Sequence, residues 1–399
     1  MFFTNTLAAM RIHHLFRCWL KSLAVIFIVG FSAKSFASPG NDSIPTFPDI
    51  VYEFRFAKLH KASAIDLEFN PSVKKYIELY TIQRRKDVSR ILGLKEQYFP
   101  IFEEYLDKYG LPLELKYLPV IESGLDPLAR SSSGAVGLWQ FLYHSASMFD
   151  LQMTSFADER SDVYKSTEAA CKYLKYLYQT YHDWYLVLAS FNGGPGVVRN
   201  AIQRSGGKTS YSDLVAFFPE QTQNYVPAFM AMIYILNFAN EHNIKILETG
   251  YKFSDLDTAR VKYNLQFDQL SEVTNVPVDV IRSLNPTYKL DVIPESDVPN
   301  ILVLPKDKLK IYLSKENFLF ANSLSRARIP EISDTKQKIV YKVLKGDFLH
   351  KIAIQYGCSL EDIKKWNKLT SDSVSIGQNL IIWEEKPIIE PGLIQLSKE

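Results

Sequence analysis

Glu122 stands on the apolar stripe of a short predicted helix, where Leu115, Leu118 and Glu122 fall at helical spacing (i, i+3, i+7) just before a Ser/Gly-rich turn. Desolvation at such a position raises a carboxyl pKa, and a carboxyl still protonated near neutral pH can act as a general acid. The plain alternative is an acid at a helix end that reaches water or Arg130. Asp126 is the neighbouring carboxyl, but Pro127 follows it, so the helix should end there and Asp126 should cap or brace the turn. Here one carboxyl alone combines a motif with an apolar position, which suits chemistry that needs a single acid.

The residues that would surround Glu122 come from three stretches. Ser131, Ser132 and Ser133, with the Gly134–Gly137 turn, are candidates to contact substrate, the glycines allowing close backbone approach. Trp139 and Gln140 are expected to open a helix beside the cleft, Trp139 as core or as a platform for substrate and Gln140 as a hydrogen-bond partner. The run Asn192-Gly193-Gly194-Pro195-Gly196 must break the helices on either side of it, leaving Phe191 and Asn192 at its edge. Asn192 either faces Glu122, binding substrate or orienting the acid, or merely ends a helix before Gly. Tyr225 either offers its hydroxyl to the acid or the substrate, or is a buried tyrosine with a satisfied hydroxyl.

Four motifs in order over residues 100–240 carry a resemblance: Glu122-Ser123 to Pro127, Gly134-Ala135-Val136-Gly137-Leu138-Trp139-Gln140-Phe141, Ala189-Ser190-Phe191-Asn192-Gly193-Gly194-Pro195-Gly196, and Gln221-Thr222-Gln223-Asn224-Tyr225-Val226. The pattern resembles the catalytic domain of the soluble lytic transglycosylase family. The resemblance implies a mainly helical, lysozyme-like domain that cuts peptidoglycan without cofactor or water. Glu122 would protonate the oxygen between N-acetylmuramic acid and N-acetylglucosamine. As carboxylate it would then take the muramic acid 6-hydroxyl proton, closing a 1,6-anhydro ring, while the acetamido group stabilises the positive centre. Three positions depart from the family pattern: Phe191 in place of Tyr, Gln221 in place of Glu (with Glu220 adjacent), and Tyr143-His144-Ser145 in place of P-S-T. A goose-type lysozyme and a peptidoglycan-binding protein with weak or lost catalysis are the competing readings.

Around this region the chain divides by composition. Residues 1–37 read as a secretory signal, with Arg11, Arg17 and Lys21 before the apolar run Leu23 to Phe31 and small residues Ser35 and Ala37 at the cleavage site. Cys18 precedes the apolar run, so it cannot carry a lipoprotein lipid. The protein is expected to be exported and periplasmic or envelope-associated, and to touch the membrane only if this segment stays uncleaved. Residues 38–48 form a flexible lead-in, and 49–245 the helical domain, in which Ala170, Leu174, Leu177, Tyr178 and Tyr181 mark a core stripe after start candidates Ser161, Asp162 and Ser166. Without the signal the chain has 42 Lys+Arg against 44 Asp+Glu, with no basic run that suggests nucleic acid. Cys171 and Cys358 fall in different domains, and no Cys/His cluster has metal-ligand spacing.

After about residue 250 short strand-like runs alternate with short helices, which makes the fold class α+β. Phe267, Leu270, Ile281 and Asn285 repeat as Leu349, Ile352, Ile363 and Asn367 at an offset of 82 residues. The second copy, within residues 339–383, resembles a LysM module, with Tyr341 through Gly346-Asp347 and Gly377-Gln378-Asn379-Leu380, and departs at Phe348 where Thr or Ser is usual. The first, over residues 258–306, lacks the Gly-Asp turn and reads as a degenerate LysM-like unit. Residues 314–338 read as a linker and 384–399 as a tail. The resemblance implies βααβ units that bind N-acetylglucosamine-containing glycan strands, with Gly346, Asp347, Phe348 and Asn367 at the groove, so that tethering raises enzyme concentration on the polymer.

Overall fold

In the computed structural model, residues 44–325, 336–344, 347–356 and 358–385 are described. The expected signal segment, most of the lead-in, Gly346 and the tail from 386 lie outside them. Among the described residues the protein is mainly helical, with three small two-stranded antiparallel sheets.

Among the described residues ten α-helices build the first region: α1 (Asp49–His60), α2 (Pro71–Glu78), α3 (Arg85–Tyr109), α4 (Leu118–Ser123), α5 (Tyr143–Met148), α6 (Val163–Tyr181), α7 (Trp184–Gly193), α8 (Pro195–Arg204), α9 (Tyr211–Leu214) and α10 (Glu220–Asn237). Their starts follow capping chemistry. Asn70 accepts the Val73 amide, Asp162 those of Tyr164 and Lys165, and Asp183 those of Tyr185 and Leu186. Ala170, Leu174 and Leu177 form the expected buried stripe of α6. In α10 Phe229, Met230, Ala231, Met232, Ile233, Tyr234 and Ile235 are all buried. A helix that is apolar on every side belongs in the interior, and α2, α4 and α7 pack around it. That central position lets α10 present its N-terminal turns to the ends of α4 and α7.

The second region pairs β1 (Leu256–Val261) with β4 (Asn300–Pro305), from Leu256↔Pro305 to Val261↔Asn300, and β2 (Leu265–Gln266) with β3 (Val292–Ile293). Between them lie α11 (Phe267–Thr274) and α12 (Val278–Leu284), and after them α13 (Lys306–Ser325). The third region pairs β5 (Lys336–Lys342) with β6 (Asn379–Glu385) around α14 (Leu349–Gln355) and α15 (Leu360–Asn367). The 82-residue repeat has one physical basis. The Asn285 amide donates to the Ile281 and Val303 carbonyls at 2.8 and 2.9 Å and accepts the Val303 amide at 2.8 Å. Asn367 does the same with Ile363, Ile381 and the Ile381 amide at 2.9, 2.7 and 2.6 Å. Each asparagine staples the end of a helix to the last strand of its unit.

Three expectations are corrected. Leu115 to Glu122 is not one helix: Leu113–Tyr117 forms a tight 3₁₀ turn and α4 starts at Leu118, with Pro119 at its first positions, where a missing N–H costs nothing. Leu115 and Leu118 remain fully buried. Trp139 and Gln140 do not open a helix. They lie in a turn closed by the bridge Val136↔Phe141, with Gly137 and Gln140 at φ of 87° and 49°, and α5 begins at Tyr143. The expected linker from residue 314 is helical as far as Ser325, because Leu309, Tyr312 and Leu319 extend α13 along the second core.

Candidate active site

Glu122 is in the last turn of α4 and lines a cleft of about 290 Å³ with the 131–142 turn, the end of α7 and Gln221. Gly124 ends α4 in the left-handed region at φ 60°, its amide donating to the Val120 carbonyl at 3.0 Å. Ser123 locks the same turn: its hydroxyl lies 2.8 Å from the Pro119 carbonyl and 3.1 Å from that of Leu138, tying α4 to the opposite wall. The Tyr225 hydroxyl donates to Glu122 Oε1. Burial raises the Glu122 carboxyl to about 7, the Tyr225 hydrogen bond pulling the other way. Burial first, then the Glu122 charge, pushes the Tyr225 phenol well above its ordinary value, so it stays a donor. Among the described residues no Lys, Arg or His pairs with Glu122, and Arg130 faces a different cavity.

The 131–142 turn is held from behind. Ser131 Oγ accepts the Ala135 amide at 3.0 Å and lies 3.0 Å from Ser133 Oγ, and both serines line the cleft. Ser132 does not; it faces the neighbouring cavity that Arg130 lines. Gln140 lines the cleft, but its amide donates inward to the Gly137 and Ala129 carbonyls at 2.9 and 3.2 Å. Trp139 is core: it is 1% exposed and donates to Thr167 Oγ1 at 3.0 Å. Arg160 supports the whole turn. Its Nη1 lies 3.1 Å from the Gly134 carbonyl, while Nε and Nη2 form a fork on Asp158 at 2.9 and 2.8 Å. A Cβ at Gly137 would meet the Arg160 carbonyl oxygen at 1.9 Å, so only glycine fits there.

On the far wall, Asn192 Oδ1 accepts the Thr222 hydroxyl at 3.0 Å, and its amide NH₂ makes no hydrogen bond among the described residues. Phe191 packs its ring 5.7 Å from that of Tyr173, and both line the cleft. Gln221 lines it as well, whereas Glu220 sits exposed in the first turn of α10 and does not move in. Asp126 braces its turn through the Leu128 amide at 2.9 Å and stays outside. Among the described residues, Glu122 is therefore the single carboxylate lining the cleft. The sequence reading missed Tyr173, Ser123 and Arg160. Tyr173 lay beside the α6 stripe and Ser123 inside the first motif, but Arg160 acts 26 residues from Gly134 and left no local signal.

Of the expected LysM contacts, Asn367 is corrected to a staple, its amide filled by three backbone bonds. Asp347 is also occupied, closing the first turn through the Tyr341 hydroxyl at 2.6 Å, the Leu344 amide at 2.8 Å and Lys351 Nζ at 2.9 Å. Those donors hold its carboxyl down at about 2. Phe348 is 55% exposed and stacks with His350, whose ring lies 4.7 Å from that of Tyr143. Gly346 lies outside the described residues.

Comparisons with known proteins match three stretches of the chain. Residues 100–214 match the Transglycosylase SLT domain family, 255–318 the LysM-like domain of lytic transglycosylase MltD, and 341–383 the LysM domain family. Membrane-bound lytic murein transglycosylase D of Escherichia coli K12 is 29% identical over 280 residues, covering 69% of this chain and 61% of the relative. The chain thus spans about three fifths of that relative's length. A putative tributyltin chloride resistance protein of Alteromonas sp. is 36% identical over 116 residues, 29% of this chain and 56% of that protein. Among solved structures, the 70 kDa soluble lytic transglycosylase SLT70 of Escherichia coli aligns with a TM-score of 0.31 and 24% identity over 39% of this chain and 27% of that one. The chain carries an SLT domain followed by an MltD-type LysM-like domain and a LysM domain.

Proposed function

We propose that the protein is a peptidoglycan lytic transglycosylase, with Glu122 as its acid and base and no cofactor. The observation that carries this reading is one half-buried carboxyl, raised to about 7, alone among the carboxylates lining the cleft. At neutral pH a large fraction of it is protonated and can give a proton to the glycosidic oxygen between N-acetylmuramic acid and N-acetylglucosamine. The C–O bond to C1 breaks and the leaving sugar departs as an alcohol. The carboxylate then takes the 6-hydroxyl proton as that oxygen closes on C1, giving a 1,6-anhydro end and restoring the acid. Ser131, Ser133, Gln140, Phe191 and Asn192 contact the strand, and Tyr225 steers the carboxyl. Phe191 costs the acid no hydroxyl, because the hydroxyl on Glu122 comes from Tyr225 on α10.

Among the described residues, no second carboxylate lines the cleft to support goose-type hydrolysis by two carboxyls. The LysM unit holds the enzyme on glycan strands through Phe348 and its neighbours, and the chain acts in the cell envelope after export. No described helix is long and apolar enough to cross a membrane. The test is release of muropeptides from purified sacculi by the wild type and by Glu122→Gln, with pelleting of both proteins measured alongside. The wild type should release product, and the variant should bind sacculi equally while releasing none. Equal release by the two would remove Glu122 from the chemistry.

A further inference from the structure

A second cavity, of about 230 Å³, adjoins the Glu122 cleft at Ser131, which lines both. None of the steps above uses it. Three cations line it: Arg160, which is committed to Asp158 and the Gly134 carbonyl, Arg130, from the edge of the active-site turn, and Lys289, from the LysM-like unit. Lys289 is half-buried and its Nζ donates to the Thr154 carbonyl at 2.8 Å, yet it forms no ion pair with a described carboxylate. The Arg130 guanidinium makes neither a hydrogen bond nor an ion pair among the described residues. The carboxylates near Lys289 are committed elsewhere. Asp158 is forked by Arg160 at 2.8 and 2.9 Å, and Asp362 is held by the Ser155 hydroxyl at 3.1 Å. Burial lowers the Lys289 pKa, Asp158 opposes that shift, and Arg130 and Arg160 add to it, so the charged amine still carries a net cost that an entering anion would reduce.

We propose that Arg130 and Lys289 bind a carboxylate of the peptide that branches from the muramic acid residue held in the Glu122 cleft. This rests on the reading of that cleft as a muramic acid site, from which a branch would reach the second cavity past Ser131, the residue that lines both. It also gives the LysM-like unit a part in the substrate site, through Lys289, in place of a separate glycan groove.

The test is calorimetric binding of three probes: the N-acetylglucosamine–N-acetylmuramic acid disaccharide with its lactyl carboxyl capped as the amide, the same disaccharide with its peptide branch, and the branched form with its peptide carboxylates amidated. Charge-assisted hydrogen bonds of this kind give about a tenfold gain in affinity or more. The wild type should prefer the free-acid branched probe by about tenfold over the other two. Arg130→Gln and Lys289→Met should each erase most of that preference while leaving affinity for the bare disaccharide unchanged, which also reports that the variants fold. A wild type that binds all three probes alike, or variants that keep the preference, would overturn the proposal. Failure of the transglycosylase reading would look different, as the preference would persist without any cleavage.

Discussion

Replacing Glu122 by Gln should stabilise the protein, and by an amount that depends on pH. The carboxyl is raised from 4.5 to about 7 by burial. Below about pH 4.5 it is protonated in the folded and unfolded chains alike, and folding carries no penalty. Between 4.5 and 7 the unfolded chain gives up its proton first, so stability falls with rising pH. Above about 7 the loss is complete and constant. The full shift corresponds to about 3 kcal/mol at 1.36 kcal/mol per pH unit. Residual solvent contact at this half-buried group reduces that to roughly 2 kcal/mol. Glutamine keeps the shape without the charge. For a helical region of this size, the gain is about 4–8 °C in Tm at pH 8, shrinking to nothing at pH 4. Thermal unfolding of both proteins, followed by circular dichroism from pH 4 to 8.5, reads the difference directly. A difference independent of pH, or a variant less stable than the wild type at pH 8, would refute burial as the cause of the raised carboxyl.

Other consequences follow from the same geometry. Since the acid must be protonated, kcat/KM should fall above about pH 7. Tyr225→Phe removes a bond that lowers the Glu122 carboxyl, so its alkaline limb should move up by about one pH unit in a pH–rate profile. Arg160→Met leaves Asp158 buried without its partner and frees the Gly134 carbonyl, which should cost about 3–5 kcal/mol in denaturant unfolding and lower kcat. Asn367→Ala should unfold the LysM unit, seen as lost protection of the β6 amides, whereas Phe348→Ala should keep that protection and weaken pelleting with sacculi about tenfold.

Much of the site was legible because its signals are local. Glu122 could be found from the buried neighbours Leu115 and Leu118, although a 3₁₀ turn interrupts the helix that spacing suggested. Asn192 and Tyr225 stood in motifs, and their partners Thr222 and Glu122 supply the reason for their placement. The repeat was legible too, but Asn367 read as a ligand contact, because a side chain that staples helix to strand resembles a binding residue when only spacing is visible. What escaped were bonds made across the fold: Arg160 reaching Gly134, and Thr287 and Lys289 reaching back to Asp162 and Thr154. The α13 helix escaped for a different reason: Ile311, Leu313, Phe318 and Phe320 are exposed on it, so apolar residues on both sides blur the spacing of Leu309, Tyr312 and Leu319, which fix it to the second core.

Whether one carboxyl works without water is decided most directly by digesting sacculi in ¹⁸O-enriched water and reading the released sugar ends by mass spectrometry. Wild-type protein should give 1,6-anhydro ends that carry no ¹⁸O, with nothing released by Glu122→Gln. Reducing ends carrying one ¹⁸O would mean that water attacks the sugar, and the single-acid account of this cleft would be wrong.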